Sequence, residues 1–484
     1  MNRDALPSPS PVLFPGAAER GQVDDWLTEE LEQALARVHA GLVTPTLDMG
    51  SFGAELTEYD FEVPRPLTEL LRWSIERLEH GIVQMGNPRY FGLFNPGASF
   101  PAQCAERVVN LFNPQLASSA SSPVPVELER HVIQAVGRRA GLSSAAGHFA
   151  TGGSEANFTA VICALTAAHP AFATQGARAF PGPLRFYASR ECHIAWLKIA
   201  HQAGIGRSAL CLVDTDGQGR MHPAALARAI AGDRAQGAVP FLVVATAGTT
   251  GGGMIDPLHA CADIASTEHL WYHVDAAWGG AALASDRMRG LLSGIERADS
   301  VTIDAHKWFA TTMGCAMFLT RHGALLSEAF HASTSFMPSS VAGVDPYLTS
   351  VQWSRRFLGL RLFVTLGAAG WAGLGAHVER SVQVIDLIRE RLLAAGWTVA
   401  NDSPLAVLDV IPPAELGDVR ALVRRVVAAG QTWVAPASFE GRDVLRICAT
   451  HGQTGREDID ALLKALTFGS PASGSSPRSE NSRG

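Results

Sequence analysis

The stretch that decides the fold runs Ser300-Val301-Thr302-Ile303-Asp304-Ala305-His306-Lys307-Trp308-Phe309. Val301 to Ile303 is a β-branched, apolar run that reads as a short buried strand. The strand hands over to a lysine that stands beside a histidine and before two aromatics. A lysine that must shed its charge and attack a carbonyl needs such a setting: fixed, partly desolvated and near other polar groups. In isolation a surface lysine after a strand would read the same way, so the companions of this stretch carry the argument.

The first companion, Trp271-Tyr272-His273-Val274-Asp275-Ala276-Ala277-Trp278-Gly279-Gly280, is again a buried-strand pattern, here ending on an acid. Asp275 stands 32 positions before Lys307. A Schiff-base lysine and an aspartate for a pyridinium nitrogen are the pair that pyridoxal phosphate (PLP) chemistry uses. The carboxylate keeps the ring nitrogen protonated, so the ring can accept electrons. A helix N-cap is the other use of an acid in that place.

Three more segments point the same way. Ala150-Thr151-Gly152-Gly153-Ser154-Glu155-Ala156-Asn157 precedes a helix-like run from Phe158 to Ala168. Small residues at a helix start leave backbone N–H groups free to face a phosphate, and Ser154 adds a hydroxyl. No Gly-Lys-Ser/Thr follows, so this is not a Walker loop. Ser189-Arg190-Glu191-Cys192-His193 offers an imidazole that can lie flat on a ring. Ala245-Thr246-Ala247-Gly248-Thr249-Thr250-Gly251-Gly252-Gly253 delivers hydroxyls into a glycine-rich loop at the end of a strand-like run. An ordinary N-cap turn, a structural histidine and a flexible connector are the plainer readings of each one alone.

In this order the five segments resemble the PLP-dependent group II amino-acid decarboxylases, the family of aromatic-amino-acid, glutamate, histidine and diaminobutyrate decarboxylases. The resemblance runs from Met85 to Leu466. It implies an α/β, aspartate-aminotransferase-like fold with a mainly parallel sheet of the seven-stranded type. It also implies conversion of an L-amino acid to the amine and CO2 with pyridoxal 5'-phosphate. On the resemblance Lys307 carries the cofactor, Asp275 pairs with its ring nitrogen and His193 stacks on the ring. Thr246 supports Asp275 or the ring hydroxyl, and Gly152, Gly153, Ser154 and His306 hold the phosphate. Leu93, Phe94, Asn95 and Pro96 fall on the substrate side, and Tyr347 on a lid returns a proton to the α-carbon. Asp304 stands where animal members often carry asparagine, and a carboxylate near a phosphate needs a compensating donor. The stretch Gln115-Leu116-Ala117-Ser118-Ser119 lacks the aromatics of the aromatic-amino-acid branch, which speaks against an aromatic substrate. The family pattern further implies a homodimer with pockets at its interface. Transamination, aldolase or lyase chemistry and decarboxylation with oxidative deamination share the cofactor constellation and stay open, as does a non-catalytic PLP-fold protein.

Composition agrees with an ordinary globular enzyme. The 484 residues are 47% hydrophobic and 18% charged, with a formal charge of −7, and no basic run points to nucleic acid or an anionic membrane. No apolar stretch reaches the ~18–20 residues of a spanning helix, and Met1 to Gly21 lacks the apolar core of a signal peptide. Seven scattered cysteines without a Cys-x-x-Cys pair fit free thiols in a reducing cytoplasm. A metal on His273 and Asp275, or on His306 and Asp304, would leave Lys307 and both glycine loops unexplained, so no metal is expected.

The expected organisation is a flexible N-terminus over 1–22, a helical segment over 23–101, a large cofactor domain over 102–370, a small α+β domain over 371–468 and a disordered tail over 469–484. Strands are expected at Leu184–Ala188, Ala209–Val213, Phe241–Ala245, Trp271–Asp275, Val301–Asp304 and Cys315–Leu319, with helices between them. That alternation predicts a mainly parallel sheet, whose ligands sit beyond the carboxyl ends of its strands. Thr246, Asp275 and Lys307 then share one rim. Phe330–Gln352 reads as a long functional loop, followed by a helix from Arg355 to about Gly370 and another from Gly375 to Ala395. Arg446 is a candidate carboxylate ligand or a structural ion-pair partner.

Overall fold

Strands that end on chemistry-bearing residues form the main sheet of the chain's larger unit. The computed structural model describes residues 10–332 and 345–467. Most of the expected lid loop and the expected C-terminal tail lie outside them. Eleven strands are defined among the described residues. Seven form one sheet: β1 (Ala146–Ala150), β2 (Leu184–Ser189), β3 (Leu210–Val213), β4 (Val239–Thr246), β5 (Trp271–Asp275), β6 (Ser300–Asp304) and β7 (Ala316–Thr320). Their order is β1-β7-β6-β5-β4-β2-β3. The pairs β2–β3, β2–β4, β4–β5 and β5–β6 are parallel, whereas β7 is antiparallel to both β6 and β1. The sheet is therefore mainly parallel, as the alternating pattern predicts. Two antiparallel pairings with β7 also leave β1 running in the same direction as β6.

Burial explains the composition of these strands. β5, β6 and β7 are buried at every position, which is why they read as continuous apolar runs and not as alternating ones. The helix Gly153–Ala168 packs on the sheet through Ala156, Ala160, Val161 and Ala164, against Phe186, Leu242, Val244 and Phe318. Small side chains on that face let the helix approach closely, which also brings its N-terminus to the strand ends.

The described chain falls into two units. The larger comprises Phe91–Val423 and Val434–Thr454. It also holds a second, antiparallel sheet of order β10-β11-β9-β8, from β8 (Thr398–Val399), β9 (Val407–Ile411), β10 (Ala435–Phe439) and β11 (Arg442–Cys448). The expected borders at 101/102 and 370/371 both fall inside this unit. The smaller comprises the residues up to Tyr90, Arg424–Trp433 and those from Gly455 onward. In it the helices Ala17–Ala40 and Leu67–Gly81 pack on one another, tied by an Arg37–Glu79 ion pair of 2.6 Å. These amphipathic helices thus find a partner within their own chain.

Three local expectations are corrected. β1 and β10 are additional strands. The region expected as two helices is assigned as one, Gly359–Ala394, broken only where Gly370 takes φ 64°. Its start lies four residues beyond Arg355, because Arg355 is committed elsewhere: its Nη2 donates to Glu129 Oε2 at 2.7 Å and its Nη1 to the Phe149 carbonyl at 3.2 Å. Glu129 Oε1 meanwhile accepts from the backbone N–H groups of Leu358 and Gly359 at 3.1 and 3.0 Å, capping the helix start from a neighbouring helix.

Both side chains of the Arg355–Glu129 pair are 4% exposed. Removing one partner leaves the other charge buried and unpaired, which typically costs about 3–5 kcal/mol. Arg355→Met should therefore lower the unfolding free energy by that scale, and with it the midpoint, in a urea titration followed by circular dichroism. A midpoint within experimental scatter of the parent would show that the pair does not hold the fold.

Candidate active site

The ends of β1, β2, β4, β5 and β6 meet on one rim because the five strands run the same way. β4 and β5 pair in register so that Thr246 lies opposite Asp275. β6 ends next to them on Asp304, and its tight turn presents His306 and Lys307. Within that turn the Lys307 N–H donates to the Asp304 carbonyl at 3.1 Å, and the Ala310 N–H donates to the Lys307 carbonyl at 3.0 Å. The loop after β2 supplies His193, and β1 runs through Thr151 and Gly152 into the helix that starts at Gly153.

Asp275 is held from behind. Its Oδ2 accepts from Asn157 Nδ2 at 2.8 Å, and its Oδ1 accepts from the Ala277 N–H at 3.2 Å. Asn157 Oδ1 lies 3.1 Å from His273 Nε2, and His273 Nδ1 lies 2.8 Å from Ser300 Oγ, which accepts from Trp271 Nε1 at 2.8 Å. The directions are consistent with a neutral His273 protonated on Nε2: Trp271 to Ser300 to His273 to Asn157 to Asp275. Burial pushes the His273 imidazole down to about 4, so it is uncharged at neutral pH and the relay keeps its sense. The carboxylate receives two hydrogen bonds while standing in the cavity wall.

Lys307 Nζ sits 3.1 Å from Asp304 Oδ2. His306 Nδ1 is set against the backbone of Cys315, 3.0 Å from its oxygen and 3.2 Å from its nitrogen, which leaves Nε2 turned to Asp304 at 3.7 Å. Partial burial holds the His193 imidazole below its ordinary value, with Asp275 opposing and Lys307 reinforcing the shift. The Ala195 N–H donates to His193 Nδ1 at 3.1 Å, so Nε2 carries the proton of the neutral ring.

A cavity of about 290 Å³ opens between these groups, walled by Phe94, Trp278 and Met313. It brings together Gly152, Gly153, Ser154, His193, Thr246, Asp275, His306 and Lys307, all of them expected from the sequence. Of the four expected pocket residues only Phe94 lines it. Its ring is 4.4 Å from that of Trp278, which stacks on Trp308 at 5.3 Å. Asn95 lies behind, with Nδ2 3.4 Å from the His306 carbonyl, and Leu93 is 42% exposed. Leu93 and Pro96 are not in the wall. Tyr347 is not in it either: its N–H donates to the Ala117 carbonyl at 3.2 Å and its ring packs on Trp353 at 4.7 Å. Sequence reasoning missed Asn157, Thr250, Ala277, Trp278 and Met313. Asn157 sits in the quoted glycine segment, four residues into the helix, on the turn that follows the phosphate cradle.

Residues 61–397 match the family model described as the pyridoxal-dependent decarboxylase conserved domain. The chain belongs to this family. A human acidic amino acid decarboxylase, GADL1, is 35% identical over 430 residues, covering 84% of this chain and 81% of its own. Mouse cysteine sulfinic acid decarboxylase is 35% identical over 318 residues, 65% of this chain and 64% of its own. The crystal structure of mouse CSAD in apo form superposes with a TM-score of 0.83 at 28% identity, over 91% of this chain and 98% of that one. The structure of Oryza sativa TDC with PLP and tryptamine gives a TM-score of 0.87 at 22% identity, over 95% and 98%, which shows the shared fold. The decarboxylase family and the aspartate-aminotransferase-like architecture expected from the sequence are both found.

The residues present fit pyridoxal phosphate. Thr246 Oγ1 is buried without a hydrogen-bond partner among the described residues, as expected of a hydroxyl that faces a ligand. The start of the helix at Gly153 has backbone donors for a phosphate, and a Cβ on Gly153 would crowd the cavity at Asp304. Asp275 offers an oriented carboxylate to a ring nitrogen. Of the three lysines in the chain, Lys198, Lys307 and Lys464, Lys307 is the one in the cavity wall.

Asn157 lines the cavity but spends its amide on the Asp275 carboxylate, so its effect is that of a positioning residue. Partners that orient metal-ligating side chains contribute about 10–100-fold in activity, and a group that orients Asp275 is expected to act on the same scale. Asn157→Ala should lower kcat on that scale, and Asn157→Asp should not restore it, because a carboxylate cannot donate to Asp275. Parent-level kcat in both variants would remove Asn157 from the site.

Proposed function

We propose that this amino-acid decarboxylase acts on a short acidic L-amino acid, and that it works as a homodimer in the reducing cytoplasm. The observation that carries the substrate class is Arg446 on β11. It is 6% exposed, its Nη1 donates to the Thr250 carbonyl at 2.7 Å, and its guanidinium lies 5.4 Å over the ring of Phe94. Thr250 and Phe94 both line the cavity, so a fixed positive charge stands directly behind the substrate wall. Its cross-strand neighbour Asp409 is wholly buried, and burial pushes that carboxyl up to about 8, with Arg446 opposing the shift. Relatives named for acidic substrates at 35% identity agree.

In this reading the bound cofactor supplies an electron sink for the carbanion left when CO2 departs. The chain does the rest. Lys307 provides the amine that holds the cofactor covalently, and Asp275 keeps a proton at the ring nitrogen. Gly152, Gly153, Ser154 and His306 cradle the phosphate, Thr246 meets the cofactor from the β4 end, and His193 covers the ring. His193 Nε2–H lines the cavity, whereas Tyr347 packs on Trp353, so His193 precedes Tyr347 as the carrier of the proton returned to the α-carbon. Phe94, Trp278 and Met313 shield the reacting atoms from water.

The dimer reading rests on large apolar side chains left exposed on the larger unit. Met313 is 63% exposed while lining the cavity, and Phe100, Leu111 and Phe112 of the helix Phe100–Phe112 are 71%, 75% and 74% exposed. Exposed apolar side chains that gather into a patch mark an interface, and in this reading a second copy covers them by two-fold symmetry. The cytoplasmic reading is supported by seven cysteines that are all free.

One experiment tests all three parts. Fractions from size exclusion are assayed for CO2 release against a panel of aspartate, glutamate, cysteine sulfinate, tryptophan, tyrosine, ornithine and lysine under reducing conditions. Release is expected in the dimer fraction, with kcat/KM for an acidic substrate at least about 10²-fold above the aromatic and basic ones, the scale of a desolvated charge contact. Preference for an aromatic or basic substrate would overturn the substrate class. Activity eluting as a monomer would overturn the dimer, and activity only after oxidation would overturn the compartment.

A further inference from the structure

At the end of β6, Asp304 turns its carboxylate into the cavity with a side chain 3% exposed. Oδ2 meets Lys307 Nζ at 3.1 Å. Oδ1 is buried and has no hydrogen-bond partner among the described residues. Both oxygens lie against the start of the helix Gly153–Ala168: a Cβ on Gly153 would sit 2.9 Å from Oδ2 and 3.0 Å from Oδ1. Glycine at 153 is what lets the carboxylate in. That same helix start favours an anion through its free N–H groups and its dipole.

The cofactor's phosphate and the Asp304 carboxylate are thus directed to the same place. A phosphate monoester is close to a dianion at neutral pH, with a second pKa of about 6. Two adjacent anions away from water cannot both keep their full charge. The charged neighbours do not neutralise them: the buried Arg361 guanidinium beside Cys315 is already paired with Glu106. Lys307 is no longer a free ammonium once its nitrogen bonds to the cofactor. His306 Nε2, at 3.7 Å, is beyond hydrogen-bond length. His193, from the β2 loop, is held toward its neutral form by burial. Cys315, before β7, is a thiol pushed up to about 12 by burial. Asp275, on the adjacent strand, adds a further negative charge, and Gly153 and Ser154 on the facing helix carry none.

Resting on the assignment of this cavity to pyridoxal phosphate, we propose that Asp304 and the cofactor's phosphate share one proton in the loaded protein, taken up as the cofactor binds. The proton comes from solvent and sits between a carboxylate oxygen and a phosphate oxygen. No bond to carbon or phosphorus changes. The orphaned Oδ1 then has a hydrogen-bond partner, and the carboxylate becomes part of the phosphate cradle instead of a charge opposed to it.

The test is absorbance titration of the apoprotein with pyridoxal phosphate between about pH 6.5 and 8.5, above the phosphate's second pKa, for the parent and for Asp304→Asn. The amide is neutral and donates a hydrogen bond without a proton from solvent. Asp304→Asn also removes the Lys307 ion pair, so the slope is read together with the parent's own comparison against pyridoxal, in which that pair is unchanged. The ratio of parent to variant Kd should rise about tenfold per pH unit, the linkage expected for one proton. An indicator dye should report about one more proton taken up per site by the parent. A ratio that does not change with pH, with equal proton uptake, overturns the proposal. The parent is also titrated with pyridoxal, which lacks the phosphate, and this comparison stands alone if the variant misfolds. The extra tenfold slope should then appear with the phosphate ester alone, and equal slopes overturn the proposal. Failure of the parent to bind pyridoxal phosphate at all overturns the cavity assignment, and proton sharing with it.

Discussion

Asp275 is 5% exposed, and a buried carboxylate is costly unless its oxygens are met. The architecture around it reads as the solution to that constraint. Asn157 meets one oxygen, the Ala277 N–H meets the other, and a directed chain through His273, Ser300 and Trp271 fixes the orientation of the Asn157 amide. Every member of the chain sits on β5, on β6 or on the helix behind them. The fold therefore places a charge at the ligand face and supplies its support from the protein side.

Parallel strands make this placement economical. Strands that run the same way deliver their last residues to one edge, and helices that return over the sheet bring their N-termini to that edge as well. Thr246, Asp275 and Asp304 end neighbouring strands, and Gly153 opens the helix that crosses over them. Glycine at 153 matters on both sides of the interface it makes: it frees backbone donors for an anion and makes room for Asp304. The antiparallel sheet and its loop between β8 and β9 do different work. Arg446, Asn401 and Ser403 donate to the carbonyls of Thr250, Gly252 and Gly253, so a glycine loop with little stiffness of its own is held at the cavity wall.

Much of this was legible in the sequence. β5 and β6 are recognisable because full burial makes them apolar throughout, and the residue that follows each apolar run is the functional one. β1 was hidden by its own packing: Gly147 takes φ 151°, where a Cβ would run into the Phe318 carbonyl, and glycine with histidine breaks the apolar pattern. β10 was hidden because Pro436 and Ser438 are tolerated on an edge strand. Asn157 stands in the quoted glycine segment, but its role was not legible there, since its partner is Asp275, 118 residues away. Thr250, Trp278 and Met313 are likewise brought to the cavity by tertiary closure. Arg355 illustrates the reverse: a helix-compatible residue drawn out of the helix by a buried carboxylate.

The central claim is that Lys307, supported by the charge at Asp275, holds the cofactor. With three lysines in the chain it is open to a direct measurement: borohydride reduction of the yellow protein, digestion and mass spectrometry of the pyridoxyl-labelled peptide. The account predicts stoichiometric label on Lys307 and none on Lys198 or Lys464. Label on either of those two, or loss of the yellow colour without any label on Lys307, would contradict it.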